Sequence, residues 1–395
     1  MSRLSWPTRT RRRPAGVRRL IPALLLALVI PIAGGLSAGP AAAAAAPATP
    51  VVKFVEDFET LDPDVWYQTP RSLAVYTGAE RYHPTYTADP AWLTHCNGTV
   101  TGAQQENGYS SYIAANNCVP LAYYNAQQLD MALVSAGAVG DSGGNDSLTA
   151  RTDQPGRGFD PGAGKVQFET ESQLPINLAN RIVGFRVLTA AMNCDRSGFV
   201  PALLQFRLKS GAQGSTTKTV GDVIDTCAGD EIVRIGPGYM GGRPTSNPVD
   251  ATIGVRYTSA GVLQSGSTVG LQIINQQASG TGNDVALDEI SILDVTPQLS
   301  QAFGAQEINL WGSTTLTFTV TNTSELGAKS GFSFAETLPS GLQVAPVAQY
   351  ATTCRNASST GAKPQSKVLT FKGGLAEEQQ SCTYSVRVSG TSKGT

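Results

Sequence analysis

The chain has 395 residues, of which 41% are hydrophobic and 15% charged, with 42 Gly, 23 Pro and a formal net charge of −1. That length exceeds one ordinary domain, and the hydrophobic share is enough for sizeable cores. The low charge and the many turn residues exclude a long charged helical protein and suit an all-β chain.

The N-terminus sets the compartment. Residues 1–19 contain seven arginines and no acid, and the apolar run "LIPALLLALVIPIA" (Leu20–Ala33) and the small residues "GGLSAGPAAAAAAPATP" follow. A basic segment, a short apolar segment and an Ala-rich exit predict a secretory signal peptide over 1–46, cut near Ala44–Ala46, with a short linker over 47–50. The apolar run is 14 residues with two internal prolines, against the roughly 20 needed to cross a bilayer, so no membrane span is expected in the mature chain. Removing the signal takes seven of the 29 basic residues and none of the 30 acidic ones, which leaves a net charge of −8. That balance argues against nucleic acid and anionic membrane surfaces as partners.

A first domain is expected over 51–296. "VVKFVEDFET" (Val51–Thr60) alternates with period two and predicts its first strand. Residues 62–125 are irregular and aromatic, with ten of the sixteen Trp and Tyr residues. "NAQQLDMALVSAG" (Asn125–Gly137) predicts a helix, with Leu129 and Leu133 four apart, Asn125 as cap and Gly137 as stop. Strand-like runs begin near residues 147, 165, 181, 200, 231, 251 and 269, and "TGNDVALDEISILDV" (Thr281–Val295) closes the series. Many short strands between Gly-, Asn- and Asp-rich turns predict a β-sandwich or jelly roll.

Pro297 follows the last strand, and the pattern restarts as a second unit over 297–395. "TTLTFTVTNTS" sets Leu316, Phe318 and Val320 inward and its threonines outward. "FAETLPSGLQV" gives two strands around a Pro-Ser-Gly turn, and "VLTFKGG" and "CTYSVRVSG" add two more. The size and patterning are immunoglobulin-like. The sequence stops at "SGTSKGT" without a closing strand, so the domain is expected to be truncated or to carry an exposed edge.

Six cysteines in an exported chain predict three disulfides. They lie as three local pairs, giving Cys96–Cys118, Cys194–Cys227 and Cys354–Cys382. Zinc is disfavoured, since Cys-x-x-Cys is absent and the histidines are only His83 and His95.

The second unit resembles the bacterial surface "conserved repeat" domain, through "GAQEINLWGSTTLTFTVTNTSELGAKSGFSFAETLPSGLQV", "TTC" and "CTYSVRV". That resemblance implies an immunoglobulin-like stalk of an exported cell-surface protein. Through "FVEDFE", "PAWLTHCNG" and "GNDVALDEISI", the first domain resembles secreted actinobacterial jelly rolls. Its "DFE…ALDEI" bracket is similar to meprin/A5-type and carbohydrate-binding jelly rolls, which implies neighbouring first and last strands and a structural calcium at their seam.

In a regular strand, Asp288 shares a face with Ile290 and Ile292 and so needs a partner. A calcium ion held by Asp57, Glu59 and Asp288 is one solution; backbone N–H groups or an arginine are the other. Ligand contact by Trp66, Tyr82, Tyr86 and Trp92 on the aromatic segment is weighed against core packing of the same residues. Neither a nucleophile elbow nor a fixed carboxylate pair is visible, so no enzyme is expected. The expected function is a non-enzymatic, secreted or cell-surface, adhesin-like protein that binds an extracellular ligand such as a glycan or a host or cell-wall surface. The alternative is a carbohydrate-binding module of a secreted glycan-active protein.

Overall fold

The computed structural model describes residues 46–59, 70–78, 82–93, 97–102, 120–135, 145–150, 162–195, 197–229, 231–237, 239–240, 243–244, 246–277 and 284–393. The signal segment up to residue 45, Trp66, Cys96 and Cys118 lie outside these residues.

The first domain runs β1 (Val51–Glu56), β2 (Arg71–Ser72), β3 (Tyr86–Thr87), β4 (Thr99–Gly102), helix α1 (Pro120–Ser135), β5 (Asp146–Ala150), β6 (Lys165–Thr170), β7 (Arg181–Met192), β8 (Leu203–Ser210) and β9 (Thr216–Asp225). It continues through β10 (Glu231–Ile235), β11 (Tyr239–Met240), β12 (Arg243–Pro244), β13 (Val249–Tyr257), β14 (Ala260–Gln264), β15 (Gly270–Asn275) and β16 (Val285–Asp294). One sheet has the order β2-β4-β5-β16-β7, with β1 also on β16, and with β13 and β14 on the far side of β7. The other has the order β3-β6-β15-β8-β9. Inward side chains of both sheets, including Phe54, Val100, Phe185, Val187, Leu287 and Ile292 from the first and Phe168, Phe206, Leu271 and Ile273 from the second, form one buried cluster. The chain is all-β as expected: two sheets face each other, and successive strands β5 to β8 alternate between them.

Helix α1 begins at Pro120, five residues before the expected cap, because proline suits the first turn, where its missing N–H costs nothing. It covers the outer face of the first sheet. Leu129, Ala132 and Leu133 pack on Leu188, Ala190, Met192, Ala251, Ile253 and Ala286. The Gln128 amide donates to the carbonyls of Gly236 at 2.7 Å and Asn247 at 2.9 Å.

The second domain contains β17 (Gln298–Phe303), β18 (Ser313–Thr321), β19 (Ala328–Thr337), β20 (Leu342–Val344), β21 (Ala351–Thr352), β22 (Arg355–Thr360), β23 (Val368–Leu375) and β24 (Ser381–Gly390). Leu316, Phe318 and Val320 are buried, with Phe371, Tyr384 and Val386 among their core partners. The last strand, β24, is central rather than at an edge: β18 pairs with one side of it, and β20 and β21 with the other. Strands β9, β14 and β17 were not visible as periodic runs. Two of them, β9 and β17, are largely exposed sheet edges, where apolar alternation is not required.

Cys194–Cys227 and Cys354–Cys382 are disulfide-bonded, as the spacing predicted. The remaining predicted pair, Cys96–Cys118, falls outside the described residues.

Candidate functional site

The predicted neighbourhood of first and last strands is present. Strand β1 runs antiparallel to β16, with Val51 opposite Asp294 and Glu56 opposite Ile290. The predicted face of Asp288 is corrected by a bulge. Between Asp288 and Ser291 the register against β7 slips by one residue, and Glu289 takes φ 46° there. The extra residue reverses the alternation. Val285, Leu287, Ile290 and Ile292 therefore all enter the inter-sheet core, while Ala286 packs with the helix. Asp288 thus lies on the helix side of the strand and not among the isoleucines.

Asp288 meets other acids there. Its Oδ1 accepts the Glu289 N–H at 2.6 Å, and its Oδ2 is buried with no partner. Asp130 of α1 accepts from the Asn145 amide at 2.8 Å through Oδ1, and its Oδ2 is likewise unpaired. Glu59, just past β1, accepts the Asp146 N–H at 2.8 Å. Burial raises the carboxyls of Asp288 and Asp130 well above the ordinary range, and the neighbouring acids add to it: Asp130 and Glu59 act on Asp288, and Asp146 and Glu59 on Asp130. Desolvation of its carboxyl pushes Glu59, exposed as a whole residue, up to about 8, and burial pushes Asp146 to about 7 against the opposing pull of Arg71. Of the predicted metal residues, Glu59 and Asp288 come within electrostatic reach of each other, and Asp57 lies beside Glu59, whose N–H its Oδ1 accepts at 3.2 Å. Asp130 and Asp146 were not foreseen. Among the described residues, no three His, Cys, Asp or Glu side chains form a group arranged to hold a metal ion.

Two other acids of the closing stretch, Asp284 and Asp294, are also buried. Asp284 accepts from the Asn125 amide at 2.8 Å, and Asp294 lies 3.7 Å from Arg181. Burial raises Glu56, which is 1% exposed; it accepts from Tyr76 at 3.0 Å and from Tyr86, and these bonds oppose the shift. Tyr86 and Trp92, two of the predicted ligand contacts, are each 1% exposed and belong to the core. Tyr82 is half-buried against that core. Among the described residues, Tyr82, Tyr86 and Trp92 do not form an open aromatic platform, and Trp66 lies outside them.

A different surface collects polar groups. Phe168, Ile273 and Phe206 point inward from the second sheet, so their neighbours Glu169, Gln272 and Arg207 point outward. The register places Thr87, Glu169, Gln272, Arg207 and Thr219 side by side, one per strand. Such a row across five strands spans about 19 Å at the usual strand spacing. Glu169 is bonded at both oxygens: one accepts from Lys209 and the other from the Gln272 amide. Lys209 also donates to the Thr170 carbonyl at 2.8 Å. That network fixes Gln272, whose buried Oε1 has no partner. Arg207 beside it forms no ion pair or hydrogen bond among the described residues, and its Nε is buried. Gln167, the extra residue of a second bulge opposite Ile273 and Ile274, leaves both amide atoms buried and unpaired. In the sequence these residues were only the polar alternates of "KVQFE", "LLQFRLK" and "VGLQIIN", indistinguishable from an ordinary solvated face.

Residues 297–395 match a domain of unknown function, DUF7933. No curated protein matches the chain. Among solved structures the chain is similar to the N-terminal CBM22-1–CBM22-2 tandem domain of Paenibacillus barcinonensis Xyn10C, at 13% identity and a TM-score of 0.26, over 89% of this chain and 93% of that one. The described part contains two disulfides, and no helix in it is long and apolar enough to cross a membrane.

Proposed function

We propose that this is a non-enzymatic, exported recognition protein whose first sandwich holds a glycan on the outer face of its five-stranded sheet. The second sandwich carries it. One observation supports that face: three neighbouring side chains on it, Gln167, Gln272 and Arg207, have hydrogen-bonding atoms without partners. Each such atom costs roughly 1–3 kcal/mol when left unmade, and a polyhydroxylated ligand would satisfy several at once. Two disulfides suit an oxidising, extracellular setting. A glycan array probed with the full chain tests the proposal. Binding to a saccharide class is expected, with Gln272→Ala lowering the affinity about tenfold, the loss of one well-made polar contact. Binding that survives Gln272→Ala and Gln167→Ala but disappears with Tyr82→Ala would move the site back to the aromatic segment.

A structural calcium at the acid cluster is a companion proposal. The donors are all oxygen, which suits a hard cation, and Asp130 Oδ2 and Asp288 Oδ2 lack partners. The carboxylates would have to draw together around the ion, since they are not arranged to hold one as they stand. Calcium is expected to raise the Tm at neutral pH by several degrees and chelator to reverse it. An identical Tm in both conditions sinks this proposal.

A further inference from the structure

We infer that the ligand of the five-stranded sheet is an acidic saccharide, bound through a carboxylate held by Arg207. This rests on the proposal that the sheet face binds glycans, and it adds the chemical class. Charge on the face is unevenly compensated. Lys209 and Glu169 neutralise each other. Arg207, one strand from Gln272 and two from Glu169, has no carboxylate partner among the described residues.

Glu169 lies two strands from Arg207, about 10 Å at the usual strand spacing, and its oxygens turn to Lys209 and the Gln272 amide. The half-buried guanidinium therefore keeps a full positive charge and its donor fork. A planar fork of this kind matches a carboxylate in two parallel hydrogen bonds, a geometry that lysine cannot reproduce. The neighbouring Gln272 Oε1 is an acceptor without a donor, held by Glu169 so that its amide nitrogen points away. A carboxylate takes the first group and a sugar hydroxyl the second. A uronic acid ring presents both on one small unit. A purely anionic ligand such as phosphate would leave the Gln272 acceptor unmet, and a neutral sugar would leave the charge unmet.

The test is isothermal calorimetry on the full chain with oligogalacturonate and with the same oligomer methyl-esterified, which keeps the rings and removes the charge. The acid form is expected to bind at least tenfold more tightly, with an advantage that shrinks as salt rises. Arg207→Gln should bring the acid form down to the ester's affinity. Arg207→Lys should recover only part of the loss, because it restores charge without the fork. Near-ultraviolet circular dichroism of each variant confirms an intact fold. If the ester and other neutral oligosaccharides bind as well as the acid, and Arg207→Gln changes nothing, the acidic class is wrong while the glycan face stands. If no saccharide, acidic or neutral, binds the wild-type chain, both fall.

Discussion

Asp288 shows how one side chain depends on its surroundings. Burial raises its carboxyl and those of Asp130, Glu59 and Asp146; neighbouring acids add to the rise for Asp288, Asp130 and Glu59, while Arg71 opposes it at Asp146. In the unfolded chain these groups return to the ordinary carboxylate range near 4. The folded state therefore binds protons more tightly than the unfolded state. The stability linked to them is fully present below about pH 4 and is lost as pH rises through the folded values, about 7 for Asp146 and about 8 for Glu59. Without added cation, the Tm is expected to fall between pH 5 and pH 8. Asp288→Asn should flatten that slope and raise the Tm at pH 8, because a buried amide carries no charge to desolvate. A Tm that climbs across the window in thermal melts would show that protons do not hold the cluster together.

Among the elements, β16 carries the most specific device. Its bulge lets four apolar residues, Val285, Leu287, Ile290 and Ile292, share one core although their spacing breaks simple alternation. Glu289 occupies the left-handed conformation there, and its carboxylate meets Arg186 at 2.6 Å. Glu289→Gly would relieve the backbone and lose a partly exposed ion pair, two effects of about 1 kcal/mol that oppose each other. Urea melts should therefore show little net change. Deleting residue 289 removes the extra residue, and simple alternation then keeps Val285, Leu287, Ile290 and Ile292 on one face, so the cooperative transition should survive, whereas inserting a second residue there should abolish it. Strands such as Arg181–Met192 and Ser313–Thr321 were legible because burial imposes apolar patterning on the sequence. The β16 bulge was not, because a regular strand assignment is the default, and one extra residue is recognised only against its partner strand. The polar row on the second sheet was hidden for the same reason. Glu169, Gln272 and Arg207 are about 40 to 100 residues apart in sequence and become neighbours only through pairing of β6, β15 and β8.

At the scale of the molecule, the two sandwiches share a sheet. Strand β14 of the first pairs antiparallel with β7 and parallel with β19 of the second, through Ala260–Ala328 and Gly261–Lys329. Gly261 is needed at this crossing: a Cβ there would lie 2.5 Å from Ile182 Cγ2 and 2.9 Å from Val295 Cγ2. Phe332 of β19 packs on Ile182, Leu293 and Val295, and the Ser324 N–H donates to the Ala48 carbonyl at 2.8 Å. Beside the crossing, Lys329 and Glu325 form an ion pair with side chains 0% and 3% exposed. Burial lowers the lysine against the pull of that carboxylate. Removing one partner of such a pair strands the other charge, at a cost of about 3–5 kcal/mol. Calorimetry of the wild-type chain is expected to give one unfolding transition for both sandwiches. Lys329→Met should lower or split it, and Glu325→Gln together with Lys329→Met should recover most of the loss. Two separate transitions in the wild type would show that the shared sheet does not couple the domains.

The sequence by itself determined the all-β class and both described disulfides, while the adjacency of the first and last strands followed from the resemblance to known jelly rolls. Apolar periodicity, turn residues and cysteine spacing are local or near-local signals, and each follows from burial or from loop closure. Tertiary structure alone decided which way Asp288 faces, that Tyr86 and Trp92 are core, and that Arg207 stands unpaired beside Gln272. Those facts depend on strand register and on what each neighbour has already bonded, which no single stretch of the chain contains.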